Sequence, residues 1–270
     1  MTENKVAPPV LENILVGPPP KNPEIQFEAS PKRVRAYVGG VAIVDSTRVM
    51  LMLETSRLPV YYFPIEDVRA DTLSASSTIV TSTFKGDASY LSILVDGRVV
   101  EDAAWRYLEG IPGRPEVSGY VAFHWSKIDA WLEEDEEVFA HARDPYHRID
   151  ILQSSRHVRI VFGAEVVAET RRARFLFETS LPTRYYIPEQ DVRMDLLRPS
   201  PMRTRCAYKG QTSAYWQAET ARGVRDVAWT YAQPTVEASP IAGMIAFFNE
   251  RADAVFVDGV EQPPRWTPWS

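Results

Sequence analysis

Short runs of apolar residues, rich in β-branched and aromatic side chains, alternate with polar positions along most of this chain. Runs of this kind predict strands with one buried face. The clearest ones in the first half cover residues 34–38, 41–44, 49–53, 60–63, 90–95 and 120–123. Gly39-Gly40 and Asp96-Gly97 separate such runs, where a two-residue hairpin turn needs positive φ angles. Only residues 64–68 and 129–138 are compatible with short helices, so we expect antiparallel sheets of about seven or eight strands per domain.

The same pattern is written twice along the chain. An offset of 124 residues places Glu54-Thr55-Ser56 on Glu178-Thr179-Ser180 and Lys85-Gly86 on Lys209-Gly210. Further matches are Tyr61-Tyr62 with Tyr185-Tyr186, Asp67-Val68-Arg69 with Asp191-Val192-Arg193, and Ala104-Trp105 with Ala228-Trp229, and no insertion is needed between these anchors. A repeat of this length corresponds to a whole domain.

The repeat predicts five segments. They are a proline-rich N-terminal arm (1–26), a first repeat domain (27–135), a linker (136–154), a second repeat domain (155–262) and a C-terminal tail (263–270). The linker is polar and contains two of the four histidines, His141 and His147.

Composition narrows the classes of partner. The 30 basic and 36 acidic residues give a net charge of −6, which argues against binding nucleic acid or an anionic membrane through bulk charge. Cys206 is the one cysteine, so no intrachain disulfide and no thiolate-rich zinc site can form. No apolar run approaches the ~20 residues of a membrane span, and the N-terminus lacks the form of a signal peptide. We therefore expect a cytoplasmic protein.

Lysine usage points to a candidate site. The chain has 24 arginines and six lysines, and Lys209, the lysine of the second repeat, is matched by Lys85 in the first. A lysine kept where arginine is otherwise preferred suggests a compact point charge or a titratable amine. Lys209 and Glu178, which ends an apolar run, are the candidate catalytic acid or base. The alternative is a turn lysine inherited with the duplication, and a paired acid at a strand end.

Aromatic residues are the second candidate feature. Neighbouring strand residues face opposite ways, so one ring of Tyr185-Tyr186 should pack in the core and the other face a groove, while Trp229 and Tyr231 share a face. We predict that Tyr185, Trp229 and Tyr231 line a ligand pocket. Ordinary core packing is the alternative for each ring.

Polar residues complete the predicted ligand site. Asp191 and Arg193 follow a proline-started turn on one side of the chain, and Arg205 lies next to Cys206. His141 and Arg143 would reach the site if the linker folds over a cleft. Each of these residues also has a structural interpretation. Asp191 would cap a turn, and Cys206 would be an inert small side chain. His141 and Arg143 would belong to a salt-bridged crossover between the domains. Thiol chemistry at Cys206 is a third functional reading.

The order of these strings resembles the domain of unknown function 427 family, which is also catalogued as nucleotidyltransferase-like. The strings are Glu-Thr-Ser…Tyr-Tyr-x-Pro-x-x-Asp-Val-Arg, Thr-Arg-Cys-x-Tyr-Lys-Gly, Ala-Trp-x-Tyr and Gly-x-x-Ala-Phe, together with His141-x-Arg143-Asp144-Pro145 in the linker. The second repeat is nearer the family pattern, departing from it at Ala207, where the family usually has proline. The first repeat has Ser82 in place of the cysteine and Val80 in place of the threonine.

The resemblance implies an all-β fold with minor short helices, built as two tandem β-tent-like domains of antiparallel sheets. Related folds occur in methionine sulfoxide reductase B-like and cereblon ligand-binding domains, which implies a small-molecule pocket on a concave sheet face. The four-cysteine zinc site of those relatives cannot be built from one cysteine, and we expect no metal site.

These features predict a small polar or anionic ligand, including a nucleotide-like one, bound in the second repeat. The alternative is a non-catalytic interaction or scaffold protein. Assembly into a homo-oligomer is compatible with that alternative. Phosphate-loop, serine-hydrolase, zinc-protease and dinucleotide-binding motifs are absent from the sequence. The sequence identifies no cofactor and leaves open whether the protein is an enzyme.

Overall fold

The computed structural model describes residues 23–110, 112, 114–264 and 267. The chain divides into two compact units, Met1–Ala142 and Arg143–Ser270. Both units are all-β: the helices of the described residues are single 3-10 turns, and every pair of adjacent strands is antiparallel. This confirms the predicted fold class of two tandem halves built from antiparallel sheets. None of these helices is long and apolar enough to span a membrane.

The first unit contains eleven described strands. They are β1 (Ile25–Ala29), β2 (Val34–Val38), β3 (Val41–Ser46), β4 (Met50–Glu54), β5 (Val60–Pro64), β6 (Leu73–Ser82), β7 (Gly86–Val95), β8 (Arg98–Tyr107), β9 (Tyr120–Phe123), β10 (Ala130–Glu133) and β11 (Glu136–Val138). A seven-stranded sheet has the order β1-β4-β5-β9-β8-β7-β6, and a four-stranded sheet the order β11-β10-β2-β3. Its 3-10 turns are Ile65–Asp67, Ala70–Thr72 and Trp125–Lys127.

The second unit repeats this plan. Its strands are β12 (Ile149–Gln153), β13 (Val158–Phe162), β14 (Glu165–Thr170), β15 (Arg174–Glu178), β16 (Arg184–Ile187), β17 (Arg198–Ser200), β18 (Arg205–Cys206), β19 (Gly210–Gln211), β20 (Ala214–Thr220), β21 (Gly223–Thr230), β22 (Ile245–Phe247), β23 (Ala254–Val257) and β24 (Val260–Glu261). The sheet orders are β12-β15-β16-β22-β21-β20-β17 and β14-β13-β23-β24, with the small hairpin β18-β19 beside them. Its 3-10 turns are Glu189–Asp191, Met194–Leu196 and Ser239–Ile241.

Each unit has two apolar clusters. One cluster combines residues of the four-stranded and the seven-stranded sheets, such as Ile160 with Ile187 in the second unit. The other lies on the opposite face of the seven-stranded sheet and contains Tyr186 in the second unit and Tyr62 in the first. The long sheet is therefore apolar on both faces near its middle, and the second cluster positions the candidate site.

Two sequence predictions about the elements were wrong. Residues 129–138 form β10 and β11 rather than a helix, because their burial alternates with a period of two and Glu134 turns the chain with a φ of 50°. The described residues also form eleven strands in the first unit and thirteen in the second, rather than seven or eight per domain. Strands as short as Glu136–Val138 carry too few alternating residues to be recognised from periodicity.

The two hairpin turns inferred from the Gly-Gly and Asp-Gly dipeptides are confirmed. Gly39 and Gly40 have φ angles of 59° and 77°, and Asp96 and Gly97 have φ angles of 47° and 78°. Glycine and aspartate tolerate this left-handed region better than most residues, so the turn sequence matches the backbone it must adopt.

The anchors of the duplication hide two compensating shifts of one residue. Trp105 pairs with Tyr90, whereas its counterpart Trp229 pairs with Tyr215, one position beyond the offset of 124. The bulge of β8 contains one residue more than the bulge of β21, and this extra residue restores the offset of 124 between the repeats. The equal spacing at the sequence anchors is therefore a sum of two opposite changes.

Residues of the predicted arm and linker contribute edge strands. The arm lies outside the described residues as far as position 22, and Ile25–Ala29 pairs with β4. In the linker, Glu136–Val138 pairs with β10 of the first unit, and Ile149–Gln153 pairs with β15 of the second. Of the predicted tail, residues 265, 266 and 268–270 lie outside the described part.

Candidate functional site

A buried ion pair joins the two residues predicted to act as acid and base. Glu178 ends β15, and Lys209 lies in the tight connection between β18 and β19. Lys209 Nζ is 2.6 Å from Glu178 Oε2, and the two side chains are 11% and 9% exposed. Gly210 follows the lysine with a φ of 93°, a backbone angle that favours glycine. The turn that directs the lysine toward the glutamate therefore explains why a glycine follows the lysine in both repeats.

His147 is the third member of this cluster. Its Nε2 lies 3.2 Å from Glu178 Oε1, the carboxylate oxygen that Lys209 does not use. The imidazole also stacks on the Tyr208 ring, with centroids 4.0 Å apart and planes inclined by 17°. Sequence reasoning placed His147 only in the linker. Its signal is the strand register, because Ile149, two residues later, pairs directly with Glu178.

Arg143 lies on the outer side of the same cluster. Its guanidinium lies 5.6 Å from the centre of the Tyr208 ring and donates to Glu237 at 2.8 Å. The Asp144 backbone N–H donates to the Tyr208 hydroxyl at 3.0 Å. These contacts tie residues 143–147 to the hairpin that contains Lys209.

The Lys209–Glu178 pair is ionised because each charge stabilises the other. Burial acts to raise the pKa of Glu178, but the charge of Lys209 and the hydrogen bonds from His147 and Lys209 outweigh it and lower that pKa to about 2. Burial acts to lower the pKa of Lys209, and the neighbouring Cys206 and Glu178 raise it above its ordinary value instead. The pair is therefore a fixed ammonium–carboxylate pair at neutral pH.

The aromatic residues of the second cluster lie on the same sheet face as Glu178. Tyr186 pairs with Arg174 on β15 and with Ala246 on β22, and Ala246 pairs with Trp229. Paired residues share a face, and Glu178 shares it too because it lies an even number of positions from Arg174. Tyr231, two residues beyond Trp229, belongs to the same cluster. Trp229 and Tyr231 are therefore buried in the second apolar cluster, on the sheet face that carries Glu178.

The Tyr186 hydroxyl is buried, with the Trp229 indole as its hydrogen-bonding neighbour. Its side chain is fully buried, and burial raises its pKa above the ordinary tyrosine value, although the Lys209 ammonium acts in the opposite direction. In the first unit the matching hydroxyl of Tyr62 accepts a hydrogen bond from Trp105 Nε1 at 3.3 Å. The matching tryptophan therefore accompanies this tyrosine in both repeats.

The structure separates other predicted residues from this cluster. Tyr185 faces the opposite side of the sheet, where it packs against Phe175 with ring centroids 4.8 Å apart. Two adjacent tyrosines in a strand point to opposite faces of the sheet, but the sequence does not show which one faces the site. In this structure Tyr186 does. His141 belongs to the first unit, and its Nδ1 is 2.7 Å from the Ala142 carbonyl oxygen.

Asp191, Arg193 and Arg205 have other partners. Asp191 accepts a hydrogen bond from Thr170 Oγ1 at 2.6 Å and pairs with Arg172. Arg193 pairs with exposed Asp195 at 2.6 Å rather than with Asp191, so Asp191 and Arg193 fold back onto local charges. Arg205 is exposed and donates to the Gln211 side chain at 3.3 Å. Cys206 is partly exposed and pairs with Gly210 across the hairpin, so its position next to Lys209 follows from the strand register.

The first unit keeps the ion pair but changes its surroundings. Lys85 bonds to Glu54, as Lys209 does to Glu178, but Arg57 Nε occupies the other carboxylate oxygen at 2.9 Å. At the offset of 124, Pro23 stands where the second repeat has His147, and Leu181 stands where the first has Arg57. The histidine is therefore particular to the second repeat.

Two cavities of the described residues lie away from this ion pair. One of about 440 Å³ is lined by polar residues that include His157, Glu169 and Asp191. One of about 180 Å³ is lined by Tyr185, Asn249 and neighbouring prolines. Within residues 23–264, apart from the two undescribed positions 111 and 113, no group of three or more His, Cys, Asp or Glu side chains could hold a metal ion.

Comparison with known sequences agrees with this repeated architecture. No curated protein matches the chain. A family model described as a domain of unknown function, DUF427, matches residues 26–134 and again residues 150–258. Because these matches together cover well over half of the chain, the protein belongs to the DUF427 family and carries two tandem copies of its domain.

Proposed function

We propose that the second unit binds a small polar or anionic ligand at the Glu178 cluster, defined as Glu178, Lys209, His147, Tyr208 and Tyr186. The observation that carries this proposal is the buried Lys209–Glu178 pair, whose second carboxylate oxygen faces His147. A buried ion pair adds little stability over an apolar pair. Costs of this kind concentrate at functional sites.

The edge of the cluster supports binding of a ligand from solvent. Arg143 lies on its outer side, where its side chain is 28% exposed, and Tyr208 is buried beneath it. A guanidinium over an aromatic ring offers both a charge and a flat surface to a planar polar molecule. Cys206, partly exposed on the same hairpin, adds a polarisable contact.

We propose binding rather than acid–base catalysis by the ion pair itself. An efficient general acid or base has a pKa near the operating pH. The pKa of Glu178 is about 2 and that of Lys209 is raised above its ordinary value, both away from neutrality. The two side chains would therefore act as fixed charges toward a ligand.

A thermal-shift screen of the full-length protein against metabolites and nucleotides tests this proposal. We expect at least one compound to stabilise the wild-type protein and the Lys85→Met variant, but not the Lys209→Met variant. The two substitutions remove the same ion pair from different repeats, so Lys85→Met controls for the general loss of a lysine. Stabilisation that persists in Lys209→Met, or disappears equally in both variants, would contradict a site in the second repeat. A screen without any stabilising compound favours the interaction or scaffold alternative.

A further inference from the structure

We propose that a second site in the second unit binds a neutral planar aromatic molecule that carries an N–H donor, of the indole class. The site is the cavity of about 180 Å³ whose walls include Tyr185, Asn249, Val255 and three prolines. Tyr185 belongs to the apolar cluster between the two sheets, on the sheet face opposite to Glu178. Binding in this cavity therefore does not involve the Lys209–Glu178 pair.

The first unit fills the corresponding position with two indole rings. At the offset of 124 residues, Trp125 and Trp131 stand where the second unit has Asn249 and Val255. The two tryptophan rings stack with their centroids 4.5 Å apart and their planes inclined by 10°. Trp131 Nε1 donates to the Trp125 carbonyl oxygen at 3.3 Å. The domain therefore accommodates a flat ring with an N–H group at this position when the chain itself supplies one.

Strand pairing shows that the positions in the two units are equivalent. Trp131 pairs with Ala36, and Val255 pairs with Ile160, so the partners are also 124 residues apart. Ile160 is larger than Ala36 and recovers part of the volume that the valine gives up. Neither indole ring has a counterpart among the residues at these positions, and the cavity is the space that remains.

Asn249 supplies an acceptor among the residues that line this cavity. Its Nδ2 donates to the Thr183 carbonyl oxygen at 2.9 Å, which fixes the orientation of the amide. Its Oδ1 is buried, and none of the residues that the structure describes gives it a hydrogen bond. Because buried acceptors in folded proteins nearly always have a donor, this oxygen indicates a donor that comes from outside the chain.

The size and the walls of the cavity favour a neutral aromatic ring. An apolar cavity of about 150 Å³ is large enough to bind benzene, and this one has about 180 Å³. Aromatic side chains such as Tyr185 pack well against planar apolar groups. The described lining residues include no charged side chain, so a charged ligand would lose its hydration without gaining a counter-ion.

The experiment is a calorimetric titration of the full-length protein with indole and with benzofuran. Benzofuran has the shape of indole but an ether oxygen in place of the N–H group. Loss of one hydrogen bond to a neutral group weakens binding by about threefold to tenfold. We therefore expect indole to bind the wild type more tightly than benzofuran by that factor, with one molecule bound per chain.

Two variants separate the hydrogen bond from the space. Asn249→Leu keeps a side chain of similar size but removes the acceptor, so the affinity for indole should fall to that for benzofuran. Benzofuran should bind this variant as it binds the wild type, which also shows that the cavity is intact. Val255→Trp restores the residue of the first unit and should abolish binding of both compounds.

Several results would overturn the proposal. They are equal affinities of indole and benzofuran for the wild type, indole binding that Asn249→Leu leaves unchanged, and no binding of either compound up to the solubility limit of indole. Binding that appears only in a Trp266→Ala variant would assign the cavity to the chain's own C-terminal segment, in which Trp266 follows Pro264 by two residues.

A matched variant distinguishes this cavity from the Glu178 cluster. His147→Ala changes that cluster on the other face of the sheet and should leave indole binding unchanged. Loss of indole binding in His147→Ala would place indole at the Glu178 cluster and overturn the second site. The function proposed for the Glu178 cluster is tested separately, by the metabolite screen with Lys209→Met and Lys85→Met, and either site can fail without the other.

Discussion

The two carboxylate oxygens of Glu178 are used by different partners, Lys209 and His147, inside a largely desolvated cluster. The physical consequence is asymmetric. Removing one partner of a buried pair leaves an uncompensated charge, whereas replacing both partners with apolar groups is often close to neutral. This asymmetry separates the role of the pair in stability from its role in binding.

We predict that Lys209→Met lowers the free energy of unfolding by about 3–5 kcal/mol. Adding Glu178→Leu to that variant should restore most of the loss, because the unpaired carboxylate is then gone. Urea unfolding of the wild type, the single variant and the double variant measures both steps. A double variant that is less stable than Lys209→Met would show that the pair holds the local structure through more than charge compensation.

The lowered pKa of Glu178 predicts a pH-dependent stability. A carboxyl whose pKa is lower in the folded than in the unfolded state stabilises the fold above its unfolded pKa. For Glu178 that stabilisation is present above about pH 4.5 and is lost as the pH falls toward about 2. Its size is on the order of 3 kcal/mol.

The measurement is unfolding of the wild type and Glu178→Gln between pH 7 and pH 2. We expect the stability difference between the two proteins to be largest near neutral pH and to shrink as the pH falls through this window. The other carboxylates titrate equally in both proteins and cancel in the difference. A difference that stays constant down to pH 2 would mean that Glu178 is not held as an ion pair.

At the scale of elements, a strained turn follows each glutamate of the ion pairs. Ser56 and Ser180 occupy the same position of the two repeats, and both have a φ of 64°. This left-handed conformation costs an L-residue about 1–2 kcal/mol relative to the right-handed region, although glycine loses part of that gain through its flexible unfolded state.

We therefore predict that Ser180→Gly raises the free energy of unfolding by about 0.5–1 kcal/mol. The matched Ser56→Gly change should act in the same direction, because the backbone is the same. Chemical denaturation of both variants measures the effect. Lower stability in both would show that a serine side chain contributes more to this turn than its backbone strain removes.

Elements with enough alternating residues could be predicted from the sequence. Residues 34–38 and 120–123 coincide with β2 and β9, and the glycine-containing turns are where the pattern places them. The segment 129–138 was misassigned because two strands and a tight turn share ten residues. The burial of residues 130–133 alternates in steps of two, as in a strand.

The candidate site was only partly predictable because strand pairing determines it. Lys209 was singled out from the repeat and Glu178 from its place at the end of an apolar run, and the structure joins them as an ion pair. The choice between Tyr185 and Tyr186 depends on which sheet face carries Glu178, and His147 is recruited by the pairing of Ile149 with Glu178. Neither the sheet face of Tyr186 nor the position of His147 can be predicted from the local periodicity of the sequence.

For the whole molecule, duplication supplies two units whose described apolar clusters are separate. Each of the four clusters draws its residues from a single unit. Separate cores predict separate unfolding transitions.

Scanning calorimetry of the full-length protein tests this prediction. Lys209→Met should lower the melting temperature of one transition by roughly 10–20 °C and leave the other in place, whereas Lys85→Met should shift the other transition. A single transition that moves as a whole in both variants would show that the two units unfold together.

The repeats also explain why binding is assigned to one half. The first unit satisfies its glutamate with Lys85 and Arg57. The second unit has Lys209 and His147 around its glutamate instead. The copy whose glutamate faces a histidine is the one that we propose to bind a ligand.

The most direct test removes, in each repeat, the side chain beside the glutamate that differs between the repeats, and compares ligand affinity. The affinity of a stabilising compound from the metabolite screen is measured by titration calorimetry for the wild type, His147→Ala and Arg57→Ala. We predict that His147→Ala weakens binding at least tenfold, while Arg57→Ala binds as the wild type does. Equal affinities in all three proteins, or a loss confined to Arg57→Ala, would contradict a ligand site at the Glu178 cluster.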